Sequence, residues 1–146
     1  MKQLLLAIFA LLTICSCGDI IERDGDWPSM KWEKTDYRVV KEGTVKYYQV
    51  PAEGGTYTFR CTNYHGFWLA DMFFEVEGKQ WHSYEEVRDE PDYEHYSNEL
   101  IDVTAKRDGK LEVVFLPNTG SVRKVSVGVT AGDIFDTFHF VQSAGR

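Results

Sequence analysis

Alternation of apolar and polar residues is the feature that most limits what this chain can fold into. In the run TYTFRCT at 56–62 every second residue is apolar, and the same pattern recurs at 125–129 and 138–140. Successive side chains of a β-strand point to opposite faces, so a period of two predicts strands with one buried and one solvent-facing side. No long stretch of the chain has the period of an α-helix.

Turn-forming residues divide these strands at intervals of about ten residues, a spacing typical of antiparallel sandwiches and barrels. Asp108-Gly109 is the clearest hairpin signal, because both residues tolerate positive φ. The chain therefore predicts an all-β, immunoglobulin-like antiparallel β-sandwich of about seven or eight strands over residues 36–146. The predicted turns lie at 42–43, 54–55, 63–66, 77–78, 108–109, 117–120 and 132–133.

The alternation also predicts which residues are buried. Cys61 is on the apolar side of its strand, which indicates an inert buried thiol and not a nucleophile. In the run FWLADMFFEV at 67–76, every second residue from Trp68 onward is apolar. We therefore expect Trp68 in the core, in the way that immunoglobulin folds bury a tryptophan on strand C.

One segment, 79–99, interrupts the regular spacing and is the most acidic part of the chain. Ser83 and Glu86 fit a capping box for a short helix that ends before Pro91. A long insert in a compact domain is usually functional or disordered. We predict a functional insert with the aromatic residues Trp81, Tyr84, Tyr93 and Tyr96 as its ligand-binding residues.

The reason for choosing these four rings is their setting among charges, outside any strand pattern. Flat amphipathic rings beside acids and amides suit sugars, since the ring packs on C–H faces while polar groups bind hydroxyls. The alternative is that the same rings pin the insert onto the sandwich, as the side chains of ordered long loops do.

Metal and catalytic sites are weaker hypotheses. His82, Glu86 and His95 are residue types that bind zinc, but the run at 82–86 lacks the second histidine of the inverted zincin pattern. The oxygen-rich stretch 89–98 suits calcium better, without the spacing of an EF-hand. No GxSxG, P-loop or dinucleotide fingerprint is present. We predict no catalytic residue, no metal and no cofactor, and rank a small metal-dependent enzyme third.

The N-terminus predicts export from the cytoplasm. Lys2 precedes an uncharged, mostly apolar run at 4–16, which is shorter than the roughly 20 residues that a membrane-spanning helix needs. A positive charge, an apolar stretch and a small-residue exit are the parts of a secretory signal. Residues 1–16 are therefore predicted to be a signal peptide.

The segment LTICSCG at 12–18 resembles the bacterial lipobox. This resemblance implies that Cys17 becomes the lipidated first residue of the mature protein. Cys15 fits less well, because bulky Ile14 would stand where a small residue is wanted. The alternative is an ordinary signal cleaved near Ser16, which would leave the protein without a lipid.

The stretch 17–35 is predicted to be the lipid anchor and a flexible linker, since it is polar, turn-rich and aperiodic. Trp27 and Trp32 within it are expected to dock onto the domain or onto the headgroup layer. Acids that follow Cys17 resemble export signals of some surface lipoproteins, which implies the bacterial outer membrane and favours the cell surface. The formal net charge of −7 disfavours nucleic acid as a partner.

The C-terminal half is similar to BACON domains, immunoglobulin-like modules of secreted and surface proteins in gut-type bacteria. The similar features are an asparagine loop after an apolar strand (LEVVFLPNTG, 111–120), Arg123 on the next strand, and a last strand that ends in Gln142 and small residues. Residues 44–62 fit the opening of the same family. We expect Gln142 to bind neighbouring backbone and Arg123 to lie on the outer face.

These observations predict a non-catalytic, lipid-anchored protein of the cell envelope that binds a glycan or a partner protein, with the membrane as its other partner. The alternative is a structural or assembly subunit, a spacer that associates through its sheet edges.

Overall fold

Two β-sheets make up the computed structural model, which describes residues 27–83 and 87–146. Sheet I has six strands in the order β1-β2-β11-β10-β4-β5, and sheet II has five in the order β3-β9-β8-β7-β6. The described residues contain no helix, so the predicted all-β class is confirmed, with more strands than predicted. The strands are Val39–Glu42 (β1), Val45–Val50 (β2), Gly55–Arg60 (β3), Trp68–Val76 (β4), Lys79–Ser83 (β5), Arg88–Asp89 (β6), Tyr93–Ser97 (β7), Ile101–Lys106 (β8), Lys110–Phe115 (β9), Arg123–Ala131 (β10) and Ile134–Gln142 (β11).

Strand pairing is antiparallel with one exception. β11 pairs with β2 in parallel at Phe140–Gln142, while every other pair among the described strands is antiparallel. Sheet I is therefore mixed, which corrects the prediction of a purely antiparallel sandwich. The physical reason is that β11, the last strand of the chain, lies beside β2 in sheet I and runs in the same direction.

The core lies between the two sheets and is built by the alternating residues that the sequence indicated. Tyr57, Phe59 and Cys61 are buried, as are Val125 and Val127. Cys61 is a free thiol with 2% of its surface exposed, so the prediction of a buried thiol is confirmed. Each fully buried apolar side chain of this kind contributes about 1.5–3 kcal/mol to folding.

A bulge in β4 changes which of its side chains face the core. Val127 lies opposite Met72 and Val129 lies opposite Leu69, so β4 has one more residue than β10 in this interval. An extra residue reverses the alternation. Leu69, Met72 and Phe74 are consequently buried. Trp68 is 41% exposed, and the prediction that it belongs to the core is wrong.

The segment 79–99 is mostly strand and not a loop insert. β5 forms a hairpin with β4 through Glu77-Gly78, whose φ angles of 52° and 74° suit a type I′ turn. β7 then joins sheet II beside β8. Ser83, predicted to begin a helix, is the last residue of β5. The strands were hidden in the sequence because each is short and carries several charges.

The folded unit begins well before residue 36. Met30 is buried, and Trp32 forms an antiparallel bridge with Cys61. The Glu33 N–H donates to Arg60 O at 2.9 Å, which ties this segment to β3. The stretch from Met30 to 35 is therefore part of the domain and not a flexible linker, because its apolar residues find buried positions on the sandwich. The signal peptide and Cys17 lie outside the described residues.

The C-terminal corner is held by two buried amides. Gln142 is fully buried and its Nε2 donates to Leu116 O at 2.9 Å, which confirms the predicted bond to neighbouring backbone. Asn118 donates to Ser121 O and to Ser143 O. Arg123 pairs with Gln142 in the register and shares its inward side, since directly opposed residues point to one face. The expectation that Arg123 lies on the outer face is therefore wrong.

Candidate functional site

The four aromatic residues predicted as ligand contacts do not form one surface. Trp81 is half-buried and stacks on Phe74, with ring centroids 5.2 Å apart and planes 15° apart. Tyr96 is 1% exposed and packs 6.3 Å from the same Phe74 ring, so it is a core residue and its prediction as a surface contact is wrong. Tyr93 is 40% exposed. Tyr84 lies outside the described residues.

The reason for this separation is the alternation within β7. Tyr96 and Glu94 face the core, so Tyr93 faces solvent on the opposite side of the strand. Trp81 lies on the inner side of β5, in the other sheet. The alternative reading, that the rings pin the segment onto the sandwich, therefore holds for Trp81 and Tyr96.

A different row of side chains crosses the outer face of sheet I. The strand register places Ser126 opposite both His139 and Phe73, and places Phe73 opposite His82. Tyr47 continues the row, because its ring packs on the ring of His139. We call these five residues, one from each of five adjacent strands, the outer-face row: Tyr47, His139, Ser126, Phe73 and His82.

Rings and hydrogen-bonding groups alternate along the outer-face row. The Tyr47 and His139 ring centroids are 5.7 Å apart, and Ser126 Oγ lies 2.7 Å from His139 Nδ1. Phe73 and His82 follow with centroids 4.9 Å apart. Neighbouring strands are about 4.8 Å apart, so the Tyr47 and Phe73 rings are separated by about 14 Å along the row.

Electrostatics keep part of this surface neutral. Burial lowers the pKa of His139 below its ordinary value of 6.5, so its imidazole is uncharged at neutral pH. A neutral imidazole has one donor and one acceptor nitrogen, and so can bind a hydroxyl group in either sense. His82 Nδ1 lies 2.7 Å from the Asp71 carboxylate, and both groups are accessible to solvent.

Charged and amide side chains border the row on one side. Lys124 lies over the Tyr47 ring at 5.2 Å and pairs with Glu42, whose hydrogen bond raises the pKa of Lys124. Gln80 donates to the Glu75 carboxylate at 2.7 Å. The outer face of sheet I thus combines flat rings with donors and acceptors that solvent can reach.

The contact between Ser126 and His139 has the distance of a nucleophile and its base, but the surrounding groups differ from a catalytic site. Asp136, the nearest acid to His139 along the chain, accepts from Trp32 Nε1 at 2.7 Å. It also points to the opposite side of β11, because it lies an odd number of residues from His139. Activation of a serine needs a base oriented by a third group, together with donors for the developing oxyanion. Asp136 therefore does not orient His139 toward Ser126.

A second solvent-exposed feature lies at one end of the same sheet. Trp68 and Phe135 both lie opposite Thr130 in the register, and they are 41% and 68% exposed. Trp27 is 64% exposed and, with Trp68, lines a groove of about 380 Å³ beside the hairpin at 132–133. We call Trp27, Trp68 and Phe135 the aromatic end.

Sequence reasoning missed the outer-face row and, at the aromatic end, singled out Trp27 but not Trp68 or Phe135. The outer-face row joins residues that are distant in the sequence, and no local pattern marks them. The pattern of apolar residues predicts Trp68 in the core, because the bulge in β4 is not visible in that pattern. Among the described residues, no three or more His, Cys, Asp or Glu side chains are grouped closely enough to hold a metal ion. The part of the chain with described structure also has no helix that could cross a membrane.

No protein-family model and no curated protein matches the chain. The solved NMR structure of a protein from Bacteroides thetaiotaomicron is similar to it, with 32% sequence identity and a TM-score of 0.58. The similarity covers 90% of this chain and 98% of that one. Identity at this level over nearly the whole of both chains extends beyond a shared fold. The chain therefore belongs to the same protein family as this Bacteroides thetaiotaomicron protein.

Proposed function

We propose that the protein is a non-catalytic, lipid-anchored binding module of the bacterial cell envelope and that its outer-face row binds a glycan. The observation that carries the proposal is the alternation of Tyr47 and Phe73 with the hydrogen-bonding groups of Ser126, His139 and His82. Sugars are bound where a ring covers a C–H face and neighbouring polar atoms bind hydroxyls.

The proposed domain type is an immunoglobulin-like module similar to BACON domains. Two features that carried this resemblance, the asparagine loop and the last strand, meet at one corner of the sandwich through Asn118 and Gln142. Asn118 is 4% exposed and Gln142 is fully buried, so both act in folding. The proposed binding residues are therefore separate from those of the resemblance.

The proposed location is the outer membrane, through a lipid on Cys17. Two or more acyl chains give stable anchoring where one gives marginal binding. The membrane association of a Cys17→Ala variant is expected to be lost in detergent partitioning. Retention of the variant in the detergent phase would show that Cys17 is not the lipid attachment site.

The binding proposal is tested on a glycan array with the full-length protein. Tyr47→Ala and Phe73→Ala are each expected to weaken binding about fivefold or more, if stacking on a sugar is worth as much as the roughly 1–3 kcal/mol of stacking on a nucleic-acid base. Tyr93→Ala is the matched control, because this exposed ring lies on sheet II. Binding that survives both substitutions in folded variants, or that depends on Tyr93, overturns the assignment to the outer-face row.

The alternative function, an assembly subunit, depends on open sheet edges. One edge is covered, since the Tyr37 hydroxyl accepts from the Thr58 N–H of β3 at 2.9 Å and Glu33 bonds to Arg60. Assembly through the edge of β3 would require residues 33–37 to detach from that strand. A mass that is independent of concentration in light scattering counts against the alternative, and a concentration-dependent oligomer supports it.

A further inference from the structure

The aromatic end is held firmly to the domain. The Tyr64 hydroxyl donates to Pro28 O at 2.6 Å, and Asn63 Nδ2 donates to Ser29 O at 3.0 Å. These bonds fix the backbone directly after Trp27. Trp68 is carried by β4 and Phe135 by β11, so the other two rings also stand on strands. The backbone positions that carry the three exposed rings are therefore fixed relative to one another.

The chain before Trp27 limits how far the aromatic end can lie from the membrane. Nine residues, 18–26, separate Cys17 from Trp27. A fully extended segment of this length spans at most about 35 Å. If Cys17 carries the lipid, as the proposed function requires, the corner of the domain with Trp27 lies within about 35 Å of the bilayer surface.

The chemistry of the aromatic end suits the boundary between lipid headgroups and acyl chains. Tryptophan is enriched at this boundary because its ring is apolar and its indole N–H is polar. Phe135, 68% exposed, has no polar atom with which to bind a sugar hydroxyl. The Tyr64 hydroxyl in the groove is already bonded to Pro28 O. The groove lining thus offers Asp133 as its charged group, fewer polar partners than the outer-face row has.

We propose that the aromatic end rests on the headgroup layer of the membrane that holds the lipid anchor, with Trp27, Trp68 and Phe135 inserted at the interface. This contact fixes the orientation of the domain, which a lipid tether alone does not. His139 is four residues along β11 from Phe135, which is about 13 Å in a strand. The outer-face row shares this face of sheet I with Phe135, and its distance of about 13 Å along the strand leaves it uncovered by the inserted rings.

The charge of the protein decides which lipids favour this contact. The chain has a formal net charge of −7, and Asp133 lies beside the groove. Anionic headgroups repel such a surface, and salt screens the repulsion. We expect the contact to be stronger on phosphatidylethanolamine and phosphatidylcholine vesicles than on vesicles rich in phosphatidylglycerol.

The experiment uses the full-length lipidated protein in vesicles that contain phospholipid brominated near the headgroup end of the acyl chains. Flotation first establishes that the protein is anchored. Tryptophan fluorescence is then expected to be quenched, and a Trp27→Phe/Trp68→Phe double variant to lose about half or more of the quenching, since interfacial indoles are its source. Trp81→Phe is the matched control, because Trp81 is half-buried on the inner side of β5.

The outcomes separate this inference from the proposed function. Protein that floats but shows equal quenching in the double variant and in wild type overturns the membrane contact alone. Protein that does not float overturns the anchor and the contact together. Quenching that depends on Trp27 and Trp68, is greatest in zwitterionic vesicles and is unaffected by soluble glycan supports the contact. If soluble glycan abolishes the quenching, the groove is a sugar site and the proposed membrane contact is overturned.

Discussion

The Glu94 carboxylate on β7 accepts a hydrogen bond from the Leu69 N–H on β4, with 2.6 Å between Oε2 and N. This bond joins the two sheets directly before the bulge in β4. Glu94 is 9% exposed. Burial raises the pKa of Glu94 above its ordinary value of 4.5, and the Leu69 hydrogen bond opposes part of that rise.

Replacement of Glu94 with glutamine is expected to stabilise the protein at neutral pH. The raised pKa means that the folded state binds this proton more tightly than the unfolded chain. The stability that the folded protein gains by binding a proton at Glu94 is therefore present below the unfolded pKa of 4.5. It is lost as the pH rises through the raised pKa of the folded state. Glutamine stays neutral and can still accept from the Leu69 N–H.

Urea denaturation between pH 4 and 8 measures this effect. The free energy of unfolding of Glu94→Gln should exceed that of wild type at pH 7, and the difference should shrink toward pH 4. Glu53→Gln, at an exposed position, is the control. A variant that is less stable than wild type at pH 7 would contradict the prediction.

Removal of the Trp32 ring is expected to destabilise the whole domain. Trp32 packs edge-on against Phe67 and Phe138, with centroids 5.4 and 4.7 Å away, and its Nε1 donates to Asp136. Trp32→Ala should cost about 3 kcal/mol, the lower range for loss of a large aromatic residue. Trp32→Phe should cost less, because it keeps ring packing and loses the hydrogen bond. Thermal unfolding of both variants checks this, and an unaffected Trp32→Ala would show that the segment is dispensable.

Two glycines with positive φ are expected to respond differently to alanine. A Cβ on Gly54, at φ +86°, would stand 2.2 Å from Phe115 O, whereas one on Gly43, at φ +62°, meets nothing within 4 Å. Gly43→Ala should therefore lower the free energy of unfolding only by the cost of a left-handed conformation for alanine, about 1–2 kcal/mol. Gly54→Ala should cost more, because β9 must also shift. Equal losses in chemical denaturation would be inconsistent with the close approach of Gly54 to β9.

The imidazole of His139 is expected to titrate below 6.5, since burial disfavours its charged form. Because the folded-state pKa of His139 is lowered, its contribution to stability is present above the unfolded pKa. That contribution is lost as the pH falls through the pKa of the folded state. Ring C–H signals in an NMR titration measure the midpoint, and a His139→Gln variant identifies the signal by its absence. A midpoint above 6.5 would contradict the burial of this ring.

Local pattern determined the clearly alternating strands and several of their ends, but not the short, charged strands of 79–99. The alternation at 56–62 placed Cys61 in the core, and the turns at 77–78 and 132–133 are hairpin loops between paired strands. These features depend on neighbouring residues alone, because side-chain direction in a strand and the φ angles of a turn are local properties.

The tertiary structure alone decided which residues share a surface. A single extra residue in β4 reverses which of its side chains face the core and so exposes Trp68. The sequence contains no local signal for this bulge. Tyr96 is buried because sheet I covers it, although its sequence neighbours His95 and Ser97 are polar. The outer-face row joins Tyr47, His82 and His139 through strand order and register. Register is set by contacts between distant segments, so the sequence by itself determined the alternating strands and their turns, and the fold determined the strands of 79–99 and the site.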